Sequence, residues 1–184
     1  DYKNYDLAAK YYEKSDDPKE GFLLIAKAYQ EKKDFIKTLD YYQLTKDPKT
    51  GFLSVVFDVL DYKFSGSATD NLETIQKYLD KLENPREIYL YIADNLLEKK
   101  KYTYARVFYH KAPSNDAGEN TKNYGDVKTA EAAFENKDYG ESYEIYSMSL
   151  NQETVFYEKL KGLAGNDSPD MLSEYYQKDK ENRA

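Results

Sequence analysis

Four of the five prolines stand directly after a small polar residue, as Asp17-Pro18, Asp47-Pro48, Asn84-Pro85 and Ser168-Pro169. Each pair reads as a helix start. The polar side chain accepts from amides that lack an intrahelical partner, and proline at the first helical position has no N–H to leave unpaired. Glu20 and Glu87, three residues after Asp17 and Asn84, give both starts the pattern of a capping box. The first two pairs lie 30 residues apart and the next gap is 37.

A second signal keeps the same periods. The motif aromatic-x-x-small-x-x-aromatic-aromatic appears at Tyr5, Ala8, Tyr11-Tyr12, at Phe35, Thr38, Tyr41-Tyr42, and at Tyr102, Ala105, Phe108-Tyr109. Weaker copies centre on Ile75, Ser142 and Leu172, so the six centres are spaced 30, 37, 30, 37 and 30. Two independent markers sharing one spacing define an array of helical hairpins, and arrays of this kind serve mostly to bind other molecules.

Apolar residues follow helical spacing, as in Phe22, Ile25, Ala26, Tyr29, and nothing alternates with period two over a strand's length. The fold class expected is all-α, with about eleven helices near 5–15, 19–32, 35–45, 50–63, 69–82, 85–99, 102–111, 121–136, 139–149, 152–163 and 168–179. They group as hairpins over 17–46, 47–83, 84–112, 121–150 and 151–180, with 1–16 as a lone second helix and 113–120 as a loop between hairpins. Two insertions, around 64–70 and 112–123, each account for one of the 37-residue gaps. The stretch 112–123, with Pro113, Gly118 and three asparagines, is expected to be the most mobile internal segment.

Composition narrows the function. A 33% charged chain with mean hydropathy −0.92 suits an elongated array with much surface. The 21 tyrosines suit thin layers, because a tyrosine buries its ring while the hydroxyl stays wet. A net charge of −7 argues against nucleic acid, and Lys99-Lys100-Lys101 sits at a helix end where cations are favourable. No apolar stretch approaches the roughly 18 residues a membrane span needs. The absence of cysteine removes disulfides and thiolate chemistry, and fits a cytosol or a bacterial periplasm equally.

Catalysis finds no foothold. His110 is the only histidine and has no cysteine or second histidine to act with, so it reads as a surface residue at a helix end. Asp16-Asp17 reads as a cap and Asp58/Asp61 as a solvated helix face, and Gly118 and Gly125 follow no strand that would make a phosphate loop. The expectation is a non-enzyme without cofactor or metal.

At these residues the chain resembles the tetratricopeptide repeat family. The family pattern reads here as Phe22, Ile25, Ala26, Tyr29, Thr38, Tyr42, Thr45, Pro48, and again as Tyr89, Ile92, Ala93, Leu96, Ala105, Tyr109, Ala112. A partial copy runs through Phe52, Val55, Val56 and Val59, and beyond residue 112 the pattern degenerates. The resemblance implies a right-handed superhelix of antiparallel hairpins that binds a protein or peptide on its concave face. The small residues Ala8, Ala26, Ala93 and Ala105 are expected where the helices of a hairpin cross closely.

First helices line the concave face in that family, so the side opposite each packing stripe becomes the candidate partner-binding surface. It comprises Leu23, Lys27 and Gln30, then Leu53 and Phe57, then Leu90, Asp94 and Leu97, flanked by Glu20, Glu31, Thr50, Asp61, Glu87 and Glu98. The set lacks the basic cluster with which family members clamp a terminal carboxylate. The alternative is a structural spacer within a larger repeat or envelope protein, its groove unused. Tyr5–Ser15 carries the signature of a second helix without a first, which suggests a further helix upstream.

Overall fold

The computed structural model describes residues 4–61, 68–114 and 121–150, together with Val155, Phe156, Glu158, Lys159 and Gly162. Every regular element among them is helical. The chain divides into two compact units, residues 1–88 and 89–184.

The first unit holds α1 (Tyr5–Tyr12), α2 (Pro18–Glu31), α3 (Phe35–Tyr42), α4 (Pro48–Asp61), α5 (Ala68–Leu79) and the opening turn of α6 (Pro85–Glu98). Consecutive helices pack on one another: α1 on α2, α2 on α3, α3 on α4, α4 on α5. Phe22, Ile25 and Tyr29 form a core stripe on α2, covered by Ala9 of α1 and flanked by Tyr5, Ala8, Tyr12 and Tyr41. Ala26 is fully buried as expected. In α1, however, Ala9 is the buried alanine and Ala8 only flanks the cluster. The second residue of each aromatic doublet lies on a glycine of the next helix, Tyr12 on Gly21 and Tyr42 on Gly51.

The second unit holds the rest of α6, then α7 (Tyr102–Lys111), α8 (Thr121–Glu135), α9 (Tyr139–Glu144) and a π-helical turn at Ile145–Ser149. Its core runs through Tyr89, Ile92, Ala93, Leu96, Ala105 and Phe108, all fully buried, with Tyr89 and Phe108 rings 5.8 Å apart. Tyr109 lies on Gly125 of α8, the same seating as in the first unit. A second cluster gathers Ala130, Phe134, Ile145, Tyr146 and Phe156.

Three hairpin turns are built alike. Lys33, Lys100 and Lys137 take left-handed backbone at φ 60, 56 and 65°. The next amide bonds back across the helix end, Asp34 N to Tyr29 O, Lys101 N to Leu96 O and Asp138 N to Ala133 O, at 3.1, 2.9 and 2.9 Å. That closes the Schellman arrangement, which satisfies helix-end carbonyls in only two residues and returns the chain antiparallel.

The second helices end earlier than the periodicity suggests. α1 and α3 stop at Tyr12 and Tyr42 instead of near residues 15 and 45, and the chain leaves each through i→i+3 bonds such as Ser15 N to Tyr12 O and Thr45 N to Tyr42 O. A residue before proline is pushed to extended backbone, so the helix must tighten and stop ahead of Asp17 and Asp47. Asp47 caps α4, accepting from Thr50 N at 3.3 Å. The capping box expected at Asp17 does not form: its side chain makes no cap bond and takes Lys46 Nζ at 2.6 Å instead. Glu87 likewise takes Lys49 of α4. The expected helix at 152–163 is represented by the few helical residues from Val155 to Gly162, while 168–179, with Ser168-Pro169, and the core of the 112–123 insertion lie outside the described residues.

Candidate binding groove

In the first unit a cavity of about 590 Å³ opens between α2, the end of α3 and the start of α4. Lys19, Leu23 and Lys27 recur every fourth residue along α2 and so present one face to it. Thr50 and Ser54 do the same on α4, and Tyr42 and Thr45 close the end. The space exists because Gly51 lets the Tyr42 ring bring α3 and α4 together while the neighbouring Thr50 and Ser54 are too short to reach across.

Most polar groups on this wall are already engaged. Thr45 Oγ1 donates to Tyr42 O at 2.7 Å and Ser54 Oγ to Gly51 O at 2.8 Å, so both hydroxyls are occupied by backbone. Tyr42 Oη donates to Gln30 Oε1 at 2.5 Å, and Gln30 Nε2 donates to Asp58 at 3.0 Å. Lys46 is paired with Asp17, which holds the Asp17 carboxyl below the usual carboxylate range. The Asp47 carboxyl is lowered too, by hydrogen bonds from the Thr50 hydroxyl and amide. The lining charges left without an ion pair among the described residues are Lys19, Lys27, Glu20 and Asp47, the last accepting a hydrogen bond from Thr50 N.

Of the surface read from the sequence, the cavity brings together Leu23, Lys27, Glu20 and Thr50. Gln30 stands next to it, tied to Tyr42 and Asp58. Phe57 is half-buried outside the lining, and Leu53 is buried at 8% exposure. The reason is that α4 buries Phe52, Leu53, Val55, Val56 and Val59, an apolar face wider than a single stripe. In the second unit Leu90 is half-buried and Leu97 is buried at 7% exposure. Asp94 accepts from the Tyr109 hydroxyl and pairs with Lys128 at 2.6 Å. Sequence reasoning missed Ser54, although its four-residue step from Thr50 was visible, and it placed Tyr42 only in the core.

His110 is also corrected. It is not a free surface residue: its Nε2 lies 2.8 Å from Asp126 Oδ1, which also accepts from Arg106 Nε at 2.7 Å. Arg106 reaches on to Ser149 in the π turn. The Asp126 side chain is 2% exposed, so this cluster ties α7, α8 and the π turn through one buried carboxylate. Asp126 follows His110 only across the 112–123 insertion, and no local spacing announces the pair.

Among the described residues no group of His, Cys, Asp and Glu could hold a metal ion, and no helix is long and apolar enough to cross a membrane. Set against known protein families, curated proteins and solved structures, the chain finds no match.

Proposed function

We propose that this chain is a protein–protein interaction module of the tetratricopeptide-like kind, its hairpins stacked in that family's right-handed sense, and that it binds a partner segment in the groove between α2 and α4. One observation carries the reading. The cavity in the first unit lies between the first helices of two successive hairpins and is lined by Leu23, Lys27 and Thr50, residues outside the packing stripes. Its volume falls within the roughly 300–1,000 Å³ typical of ligand sites. The shared Schellman turns and the tyrosine-on-glycine seating support the repeat assignment.

A spacer role is favoured for the second unit by a specific feature. There the corresponding side chains are joined to each other, Asp94 to Lys128 and to Tyr109, which leaves them occupied.

Site-specific photocrosslinking tests the proposal. A benzophenone side chain at Thr50 should form a discrete adduct in cells that express the protein, whereas one at the exposed Tyr104 should not. Equal labelling from both positions, or none from Thr50, rejects the groove as the binding site.

A further inference from the structure

The two units carry one scaffold with two sets of side chains. Phe22, Leu23, Ile25, Ala26 and Tyr42 in the first correspond to Tyr89, Leu90, Ile92, Ala93 and Tyr109 in the second. Under each tyrosine lies the glycine of the following helix, Gly51 or Gly125, which puts α4 and α8 in register. By that register Lys27 corresponds to Asp94, Thr50 to Tyr124 and Ser54 to Lys128.

In the second unit these positions satisfy one another. Lys128 Nζ pairs with Asp94 at 2.6 Å and stands 5.7 and 5.6 Å from the ring centroids of Tyr109 and Tyr124. The Tyr124 ring meets Tyr109 edge-on at 5.9 Å. Burial opposes the charge of Lys128, but the hydrogen bond and charge of Asp94, together with Tyr124, outweigh it and the lysine's pKa is raised.

In the first unit the same positions border the 590 Å³ cavity. Among the described residues no carboxylate pairs with Lys27, and by residue type Ser54 offers no cation and Thr50 no ring to Tyr42. What the second unit supplies from its own chain, an acid against a lysine and a ring against a tyrosine, the first unit leaves to another molecule. On the reading of this groove as a peptide site, we infer that its occupant is a segment carrying a carboxylate beside an aromatic or large aliphatic side chain. The carboxylate meets Lys27 Nζ in a charge-assisted hydrogen bond, and the apolar group lies on Leu23 and the Tyr42 ring. The chain as a whole carries −7, whereas this lining sets Lys19, Lys27 and Lys46 against Glu20 and Asp47, which distinguishes it from the average of the chain.

Panning the full chain against a phage-displayed random heptapeptide library, then measuring resynthesised binders by fluorescence anisotropy, tests the inference. Asp or Glu adjacent to Phe, Tyr or Leu should be enriched. Lys27→Met should weaken those binders about tenfold, the scale of one lost charge-assisted contact. On that variant, replacing the peptide's acid by its amide should have no further effect. Lys27→Asp with Ser54→Lys installs the ion pair of the second unit and should abolish binding; circular dichroism checks its fold, and the exposed-site Lys27→Met variant decides alone if the double variant unfolds. Binders without an acidic residue that are lost in the double variant keep the groove and overturn the acidic–apolar occupant. Binders indifferent to both variants, or no enrichment at all, overturn the groove reading and this inference with it.

Discussion

The ring of Tyr42 lies so close over Gly51 that a β-carbon there would stand 2.3 Å from Tyr42 Cδ1. Tyr12 over Gly21 and Tyr109 over Gly125 leave as little room, at 2.1 and 2.2 Å. Where the doublet ends in Leu79 instead, the residue nine positions on is Ile88 in place of glycine. The large and small partners therefore exchange together, as volume conservation in a packed layer requires. Gly51→Ala should destabilise the first unit by about 1–3 kcal/mol through overpacking. Combining it with Tyr42→Leu should cost at least 0.5 kcal/mol less than the sum of the singles, roughly the coupling seen between touching residues. A urea-unfolding double-mutant cycle measures both, and strict additivity would show that the ring does not hold the helix spacing.

The order of the helices was legible because both signals that carry it are local. Asp-Pro pairs stop and start helices wherever they stand, and the aromatic doublets mark which face packs. The glycines could have been read as well, since Gly21 and Gly51 each follow a doublet by nine residues. The groove was only half legible. Leu23, Lys27 and Thr50 follow from the face opposite the stripe, but α4 is apolar around too much of its circumference for a single stripe to predict Leu53. Asp17 shows a second limit. A cap and an ion pair compete for the same carboxylate, and Lys46 that wins it stands 29 residues away.

Buried phenols should make the fold fail in alkali. Burial, with Glu131 nearby, pushes Tyr146 from 10.0 up to about 12. Burial and then Asp138 raise Tyr102, and burial and then Asp94 raise Tyr109. In the unfolded chain each titrates near 10, so the native state keeps protons that the unfolded state releases. That stability is fully present below about pH 10 and is lost as the pH climbs toward the native values. Phenolate absorbance and loss of helical dichroism should therefore rise together in one cooperative step. Tyr146→Phe should make stability less steeply dependent on pH in that window; an unchanged slope would mean that Tyr146 is not protected.

The Arg106–Asp126 pair should show the asymmetry of a buried charge. Asp126 is 2% exposed and Arg106 is 25% exposed, so the carboxylate has only its partners while the guanidinium can turn to water. Arg106→Met strands the buried anion beside His110 and should cost about 3 kcal/mol. Asp126→Asn keeps an acceptor for Arg106, buries no charge, and should cost about half as much. Chemical denaturation of the two variants gives the order directly. The reverse order would mean that Asp126 is hydrated and that the pair behaves as a surface bridge.

Lys137 offers a substitution that should stabilise. It holds φ 65° at the α8–α9 turn, where the β-carbon of an L-residue crowds the following carbonyl at a cost of roughly 1–2 kcal/mol. Its ammonium has no ion-pair partner among the described residues, so nothing is lost from the side chain on replacement. Glycine accepts that backbone without the clash but makes the unfolded chain looser by about 0.4–1 kcal/mol, leaving a net gain of roughly 0.5–1 kcal/mol for Lys137→Gly. Lys33 has the same backbone and serves as the internal control. Its ammonium pairs with Asp58 at 3.2 Å, a half-exposed bridge worth up to about 1 kcal/mol, so Lys33→Gly should gain less or nothing. Urea midpoints for the two variants should rank Lys137→Gly above Lys33→Gly with unchanged slopes. A lower midpoint for Lys137→Gly than for the parent would mean that the turn tolerates lysine without strain and that the shared hairpin geometry has another cause.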